Sequence, residues 1–552
     1  MKHCPNCNKP LPEDALFCGD CGTAAETIAE EAAVAEEAVV AEEIPAVEVA
    51  PIEEVCAEEV PAAEKNEALS AVVASAKALL DKVPKKILKI AGAVLAAVIL
   101  LVVIISLFSG GTPDHALYVK DGELIYSTLH KGGDVITDEP SVYAMHQLSA
   151  DGDKLFFVEE GDLYWCSPTK PEKAQKIAGD VSHFLVNEKG DRVTYQKEGN
   201  LYQSNLKDSE KIASDVEGFV VTKDGKKVFY QSEGAYYVQK VGKDKRDKLG
   251  SSDSIDLYHV SEDLEEFYFT DEDKLYVKKF NKDRKEIARD VTRVVKVYDN
   301  GDAYYITEDE DGKRSLYFYN GNKSELVYEN VTSVMSYAAE KPVLMFMGKD
   351  GDDYVKIIAS KDKTELFEVE DAYNIIFSED GKKLYYQGES DEDETTDLYE
   401  TKVNGAKAKE GKQIDEDVYS YTVVDGKVIC RKEYNEEKES YELWVDGKRA
   451  DSDVVSITYD KESGKIYYKT DDGSFKVFKS KAKKIYDDVD DFEILPGGQV
   501  LFLYDVSDSS EEGDLYMYKG SGKAKKLDDS VSYIVPVYSI DELYEMVFAS
   551  IN

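Results

Sequence analysis

The strongest constraint on this chain is a unit that recurs along its second part. Compare SADGDKLFFVEEGDLYW (149–165), NEKGDRVTYQKEGNLYQ (187–203) and TKDGKKVFYQSEGAYYV (222–238). Each has a turn closing on Gly, an apolar-aromatic run, a second turn with Gly, and a segment carrying LY or YY. Looser copies follow at EDLEEFYFTDEDKLYV, DNGDAYYITEDEDGKRSLYFY, SEDGKKLYYQ, DGKVICR, ESGKIYYK and PGGQVLFLY, with a degraded copy at EKPVLMF. Between copies runs a second signature: IAGDV, IASDV and IARDV, then YENV, DEDV, YDDV and DDSV.

A D-G turn accepts positive φ at Gly and reverses the chain. The Phe, Tyr, Val and Leu that follow suit a buried pleat. Each unit therefore reads as four strands: a after the DV signature, b after D-G, c at G-x-LY, and d as a polar, Lys-bearing segment such as EKAQKIA. The mean step is about 38 residues, in the range of propeller blades. One such sheet cannot bury both faces, whereas radial stacking buries them between neighbours. The expected fold is mainly β, with antiparallel four-stranded blades forming one or more β-propellers over 114–540.

The ends of the region complement each other. HALYVKDGELIYSTLHKGGDVITDEPSV supplies strands b, c and d without a, and SVSYIVPVYS supplies a strand a with nothing after it. Together they complete one blade and remove two open edges. About ten complete units plus this shared one exceed the four to eight blades usual for a single propeller. The expectation is two propellers with a break near the irregular units at 310–350, and one large ring as the alternative. Residues 541–552 follow as a short helix or tail.

Residues 90–108, IAGAVLAAVILLVVIISLF, carry no charge and one hydroxyl, Ser106. A helix over 88–109 is long enough to cross a bilayer. Lys82, Lys85, Lys86 and Lys89 crowd its N-terminal side, while Ser109 to Pro113 carry no charge. The positive-inside rule then predicts a single-pass cell-membrane protein with a cytoplasmic N-terminus and an extracellular C-terminal domain. Residues 66–83 read as a juxtamembrane helix. Residues 24–65 are an acidic Ala/Glu/Val/Pro linker whose like charges extend it; a basic cytoplasmic protein is one partner such a strip would suit.

At the tip, residues 1–23 contain two C-x2-C pairs, Cys4/Cys7 and Cys18/Cys21. These four thiolates complete a tetrahedral S4 shell for one structural Zn2+, with no open position for substrate. Paired knuckles bearing Pro5, Gly19 and Gly22 speak against a redox dithiol. Cys56, Cys166 and Cys430 show no pairing pattern, so no disulfide framework is expected.

The balance of 68 basic against 112 acidic residues, net -44, excludes a nucleic-acid partner, which needs clustered Lys and Arg. No catalytic set emerges. GxSxG is absent, and GSGKAK (520–525) lacks the phosphate-loop spacing and reads as a solvated turn. His115, His130, His146, His183 and His259 have no metal-like spacing. Cys166 and Cys430 read as small core hydrophobes. The acidic runs 307–315 and 390–397 lack the full calcium-loop spacing and read as hairpin loops, with calcium as the alternative.

SEDGKKLYYQ (378–387) resembles the TolB-type, WD40-like propeller repeat of bacterial envelope proteins through Asp380, Gly381 and Lys382, with Glu379 in place of the family's Pro. The N-terminal CPNC…FCGDCG looks like the short zinc ribbons of single-span membrane proteins in Gram-positive bacteria. These resemblances imply fold more than activity. The expected role is a non-enzymatic binding, sensing or scaffold protein taking a peptide, a glycan or another envelope protein. The alternative is an extracytoplasmic polysaccharide-acting enzyme with carboxylates in the propeller funnel.

Overall fold

A computed structural model describes residues 2–3, 10–11, 115–128, 133–137, 146–389, 396–461, 463–495, 498–507, 511–536 and 540–549. The zinc cysteines Cys4, Cys7, Cys18 and Cys21 lie outside the described residues. So do the acidic linker, the juxtamembrane helix and the apolar segment 88–109. Near the N-terminus Lys2–His3 pairs antiparallel with Pro10–Leu11. Among the described residues no helix is long and apolar enough to cross a membrane.

Seven separate four-stranded antiparallel sheets span 146–178, 181–213, 216–251, 255–288, 291–329, 331–366 and 373–415; these are blades 1 to 7. Blades 8 and 9 form one seven-stranded sheet because they share the long strand Lys448–Asp460. Blades 10 and 11 likewise share Lys525–Val535. Blade 11 is built from both ends of the region. The last part of that strand is its strand a, and His115–Lys120, Glu123–Thr128 and Asp134–Thr137 are its strands b, c and d. The closing register pairs Leu117 with Val535, Tyr118 with Ile534 and Val119 with Tyr533.

The sheets stack as one closed cycle of eleven, which corrects the expected pair of propellers. Each blade shares an apolar cluster with the next, from blade 1 to blade 11 and back to blade 1. No break falls at 310–350. Tyr304, Leu316 and Phe318 of blade 5 pack with Leu344, Phe346 and Ile357 of blade 6. Met345 and Ile358 on the other side of blade 6 pack with Phe377 and Leu384 of blade 7. The irregularity in the sequence comes from longer b and c strands, such as Val343–Asp350 and Asp353–Ser360, and not from a domain junction.

The two signatures have separate physical origins. In the DV signature the residue before Val takes a left-handed conformation: Asp180, Asp215, Asp290, Asn330, Asp417 and Asp488 all have φ between 49° and 60°. Asp and Asn tolerate that region better than other non-glycine residues. The following Val is buried, and its N–H donates to the preceding blade's b–c turn, as from Val181 to Gly161 and from Val216 to Gly199, both at 2.7 Å. In the a–b turn a hydroxyl donates to the Asp two residues on: Ser149 to Asp151, Thr222 to Asp224 and Ser378 to Asp380, at 2.6–2.8 Å. The Lys382 ammonium bonds Asp380 and holds its carboxyl at about 2. The Gly of this turn has positive φ and also lets neighbouring turns approach. A Cβ at Gly190 would sit 2.6 Å from Cβ of Ser149 in the blade before.

The LY motif is explained by cross-strand stacking. Phe157 faces Tyr164, Tyr195 faces Tyr202 and Tyr386 faces Tyr399, with centroids 5.2–5.6 Å apart. Such pairs contribute about 0.5–1.5 kcal/mol each beyond burial. The fourth strands are polar and exposed, as in Lys170–Ala178, which marks them as the rim. In a ring of this kind the a strands then surround the axis.

Candidate functional site

One helix departs from the repeat. Ile540–Ala549, here α1, follows the closing strand. Tyr544 and Phe548 are one turn apart and therefore share a face. Both are buried, with their rings 6.5 Å apart, in a cluster with Val220, Val260, Leu264 and Phe267 of blades 3 and 4. The Tyr544 hydroxyl lies 3.4 Å from two carbonyl oxygens, Val186 of blade 2 and Thr222 of blade 3. Both carbonyls stand where strand a meets its turn, so α1 crosses the a strands at their turn end.

Leu264 reveals how the repeat was altered to receive this helix. It occupies the position where most other blades carry the turn Gly, in SEDLEE instead of S-x-D-G. It keeps φ at +52° and is fully buried. A left-handed Leu costs about 1–2 kcal/mol. Burying the side chain with α1 recovers roughly 1.5–3 kcal/mol.

Beside α1 lies a groove of about 880 Å³. Strand a of blade 4 (Ile255–Val260) contributes Tyr258, His259 and Val260, and its turn contributes Ser261, Glu262 and Asp263. Blade 5 adds Val294 to Val297 and Asp299, blade 6 adds Tyr337, and α1 closes one wall with Phe548. A second hollow of about 610 Å³ lies between blades 3 and 4, with Val547 of α1 in its wall.

The groove mixes apolar walls with fixed charge. His259 packs edge-on to Tyr268 at 6.0 Å. Burial lowers its pKa and Lys296 adds to this against the pull of Asp299, so the imidazole is neutral near pH 7. Glu262 lies 3.4 Å from Lys223. Asp263 accepts from the Ser261 hydroxyl at 2.7 Å and from the Glu265 N–H at 3.1 Å. Tyr337 is 44% exposed. These walls suit a ligand with an apolar body and polar ends.

The other sequence candidates are scattered. Cys166 and Cys430 are free and buried in separate inter-blade clusters, where burial pushes both thiols up to about 12. His146 bonds the Pro536 carbonyl at 2.9 Å, His183 is exposed and His115 lies in a strand; His130 is outside the described residues. In the acidic run 307–315 Asp309 accepts the N–H groups of Asp311 and Lys313, and Arg314 pairs with Glu308. Of 390–397, residues 390–395 lie outside the described residues. GSGKAK falls in the turn between Gly513–Tyr518 and Lys525–Val535. Among the described residues no group of three His, Cys, Asp or Glu is placed to hold a metal, and every carboxylate with a displaced pKa is displaced downward. Sequence reasoning missed the groove. Its one visible signal was the missing Gly at Leu264.

No known family profile matches the chain, and no curated protein matches it. Solved structures with similar chain paths include a eukaryotic initiation factor (8% identity, covering 68% of this chain and 95% of that one, TM-score 0.35). They also include a putative TolB from Agrobacterium tumefaciens (12%, 44% and 84%, TM-score 0.23) and the β-propeller domain of the Trilobed protease from Pyrococcus furiosus (15%, 57% and 98%, TM-score 0.25).

Proposed function

We propose that this chain is a membrane-anchored binding or scaffold protein whose propeller stands outside the cell and holds a peptide or a segment of another envelope protein. The groove along blades 4 to 6 carries the reading: it is large, amphipathic and walled by a helix that the repeat was altered to seat. The four N-terminal cysteines bind one structural zinc on the cytoplasmic side, and the span near 88–109 supplies the anchor. The uncharged apolar run and its lysine flank support that topology. A photo-crosslinking residue at Tyr337, in the groove, forms a discrete adduct on living cells. The same residue at Leu326, 46% exposed in strand Ser324–Glu329 at the rim, does not. Equal labelling at both positions, or none at Tyr337, overturns the groove. Protease added to intact cells removes 114–552 and spares the tip; protection of the propeller overturns the topology.

A further inference from the structure

Blade 8 carries a feature that, among the described residues, no other blade repeats. Tyr419 and Tyr434 stack on each other with centroids 4.9 Å apart and an interplanar angle of 11°. Both remain in water, at 58% and 40% exposure. Tyr419 follows the junction Val418, and its N–H donates to the Arg431 carbonyl at 3.0 Å. Tyr434 stands near the end of a lengthened strand b, Lys427–Asn435.

The repeat itself supplies the control. The residue after the buried junction residue is Ser182, Glu217, Asp256, Thr292, Thr332, Asp490 or Ser532 in other blades, Val455 in blade 9 and Tyr373 in blade 7. Those blades fold without a stacked pair there, so the fold does not require it. A single exposed apolar residue needs no explanation, but a preformed double ring does. Its surroundings are acidic. Glu416 precedes Tyr419, Glu433 precedes Tyr434, and Glu436, Glu437 and Glu439 form the hairpin tip, all exposed. The one lysine of that tip, Lys438, is engaged by Asp453 and Asp471 at 3.2 and 2.7 Å.

Elsewhere this molecule shows what it lays on such rings. Arg246 covers Tyr237 at 4.4 Å and Arg284 covers Tyr276 at 4.2 Å, and lysines do the same, Lys349 over the exposed Tyr354 at 4.9 Å and Lys432 over Trp444 at 4.2 Å. Among the described residues no cation of the chain covers Tyr419 or Tyr434. We infer that the Tyr419–Tyr434 pair, rimmed by carboxylates, is a docking platform for an arginine-bearing segment of a partner protein. A planar guanidinium stacks on an aromatic face and pairs with carboxylates at the same time, which a lysine ammonium does less well. This site is separate from the groove and does not depend on its occupant.

The test uses the full chain in detergent with fluorescein-labelled octa-arginine, octa-lysine and a neutral glucose hexasaccharide. The expected result is about tenfold tighter binding of octa-arginine than of octa-lysine, lost in the double variant Tyr419→Ser and Tyr434→Thr with the melting transition unchanged. Equal affinity for the two peptides in the unaltered chain overturns the proposal, as does a variant that keeps the preference. Hexasaccharide binding that depends on the pair, without a preference for arginine, also overturns it and assigns a glycan instead. If the double variant loses its melting transition, Tyr419→Ser alone carries the same test, because Ser stands at that position in blades 2 and 11.

Discussion

Blade 3 and blade 11 have the same four strands but hold their first two together differently. In blade 3 strand a (Val216–Val221) runs through a turn into strand b (Lys227–Ser232), and Thr222 and Asp224 tie that turn with side-chain hydrogen bonds. In blade 11 strand a comes from the C-terminal end and strand b from residue 115, so no turn exists. Side chains at the opposite end of the strand pair tie strand b to the part of the long strand that belongs to blade 10. The Tyr118 hydroxyl donates to Asp528 at 2.7 Å, and the Lys120 ammonium reaches Asp528 at 2.7 Å and Asp529 at 3.1 Å. Burial would raise the Asp528 pKa, but the bonds from Lys120 and Tyr118 outweigh it and the net shift is downward. Ten blades are closed by chain connectivity and the eleventh by strand pairing with this charge-assisted latch beside it; blade 9, which keeps its turn, carries the counterpart bond from Tyr468 to Asp451 at 2.9 Å.

The comparison can be broken most forcefully at Val531, fully buried in the strand that blades 10 and 11 share. Val531→Asp places an unpaired carboxylate in that cluster and is expected to cost on the order of 4 kcal/mol. Limited proteolysis should then cut first near residues 115–137. Cleavage beginning in blades 2 to 4 would show that the closing blade is no weaker than the others.

A smaller change sharpens the contrast. Asp528→Asn keeps the shape and removes the charge, with an expected loss of roughly 1–2 kcal/mol in denaturant unfolding near pH 7. The pH dependence has a definite sign. Because the folded pKa of Asp528 lies below the unfolded value of about 3.9, its contribution is present above that pH and disappears as pH falls through the folded value. The variant should lose less stability than the parent over that acidic window; parallel curves would contradict the latch. The smallest effect belongs to the matching turn. Asp224 is held at about 2, its bonds to Lys226 and Thr222 outweighing burial. Asp224→Asn should nonetheless cost only about 0.5–1 kcal/mol, since the covalent turn remains. A loss equal to that of Asp528→Asn would erase the distinction between the two closures.

Much of this fold could be read from local chemistry. Asp before Val marks a left-handed residue, Ser or Thr before Asp-Gly marks a bonded turn, and a Tyr after Leu marks a stacked pair. Each is settled within a few residues, so each leaves a trace in the chain. The complementary ends at HALYVK and SYIV were visible for the same reason. The number of rings was not. Whether blade 6 packs on blade 7 or returns to blade 1 depends on surfaces such as Phe346 and Met345, which look alike in either arrangement. The groove was hidden because Tyr258, Val294 and Tyr337 come from three successive units and Phe548 from a helix more than two hundred residues away. Only Leu264, standing where the repeat asks for Gly, showed that something covers blades 3 and 4.

The latch also sets a clock. Tyr118 and Asp528 are 410 residues apart. At about 5–20 residues per second, roughly 20 to 80 s pass between the synthesis of the first and that of the second. Through that interval strands b, c and d of the last blade exist without their strand a, and His115–Lys120 offers its backbone groups to any extended segment nearby. A lysine on an open edge disfavours such foreign pairing. Lys120 stands on that edge from the start, a guard while the ring is unfinished and a clasp once Asp528 arrives.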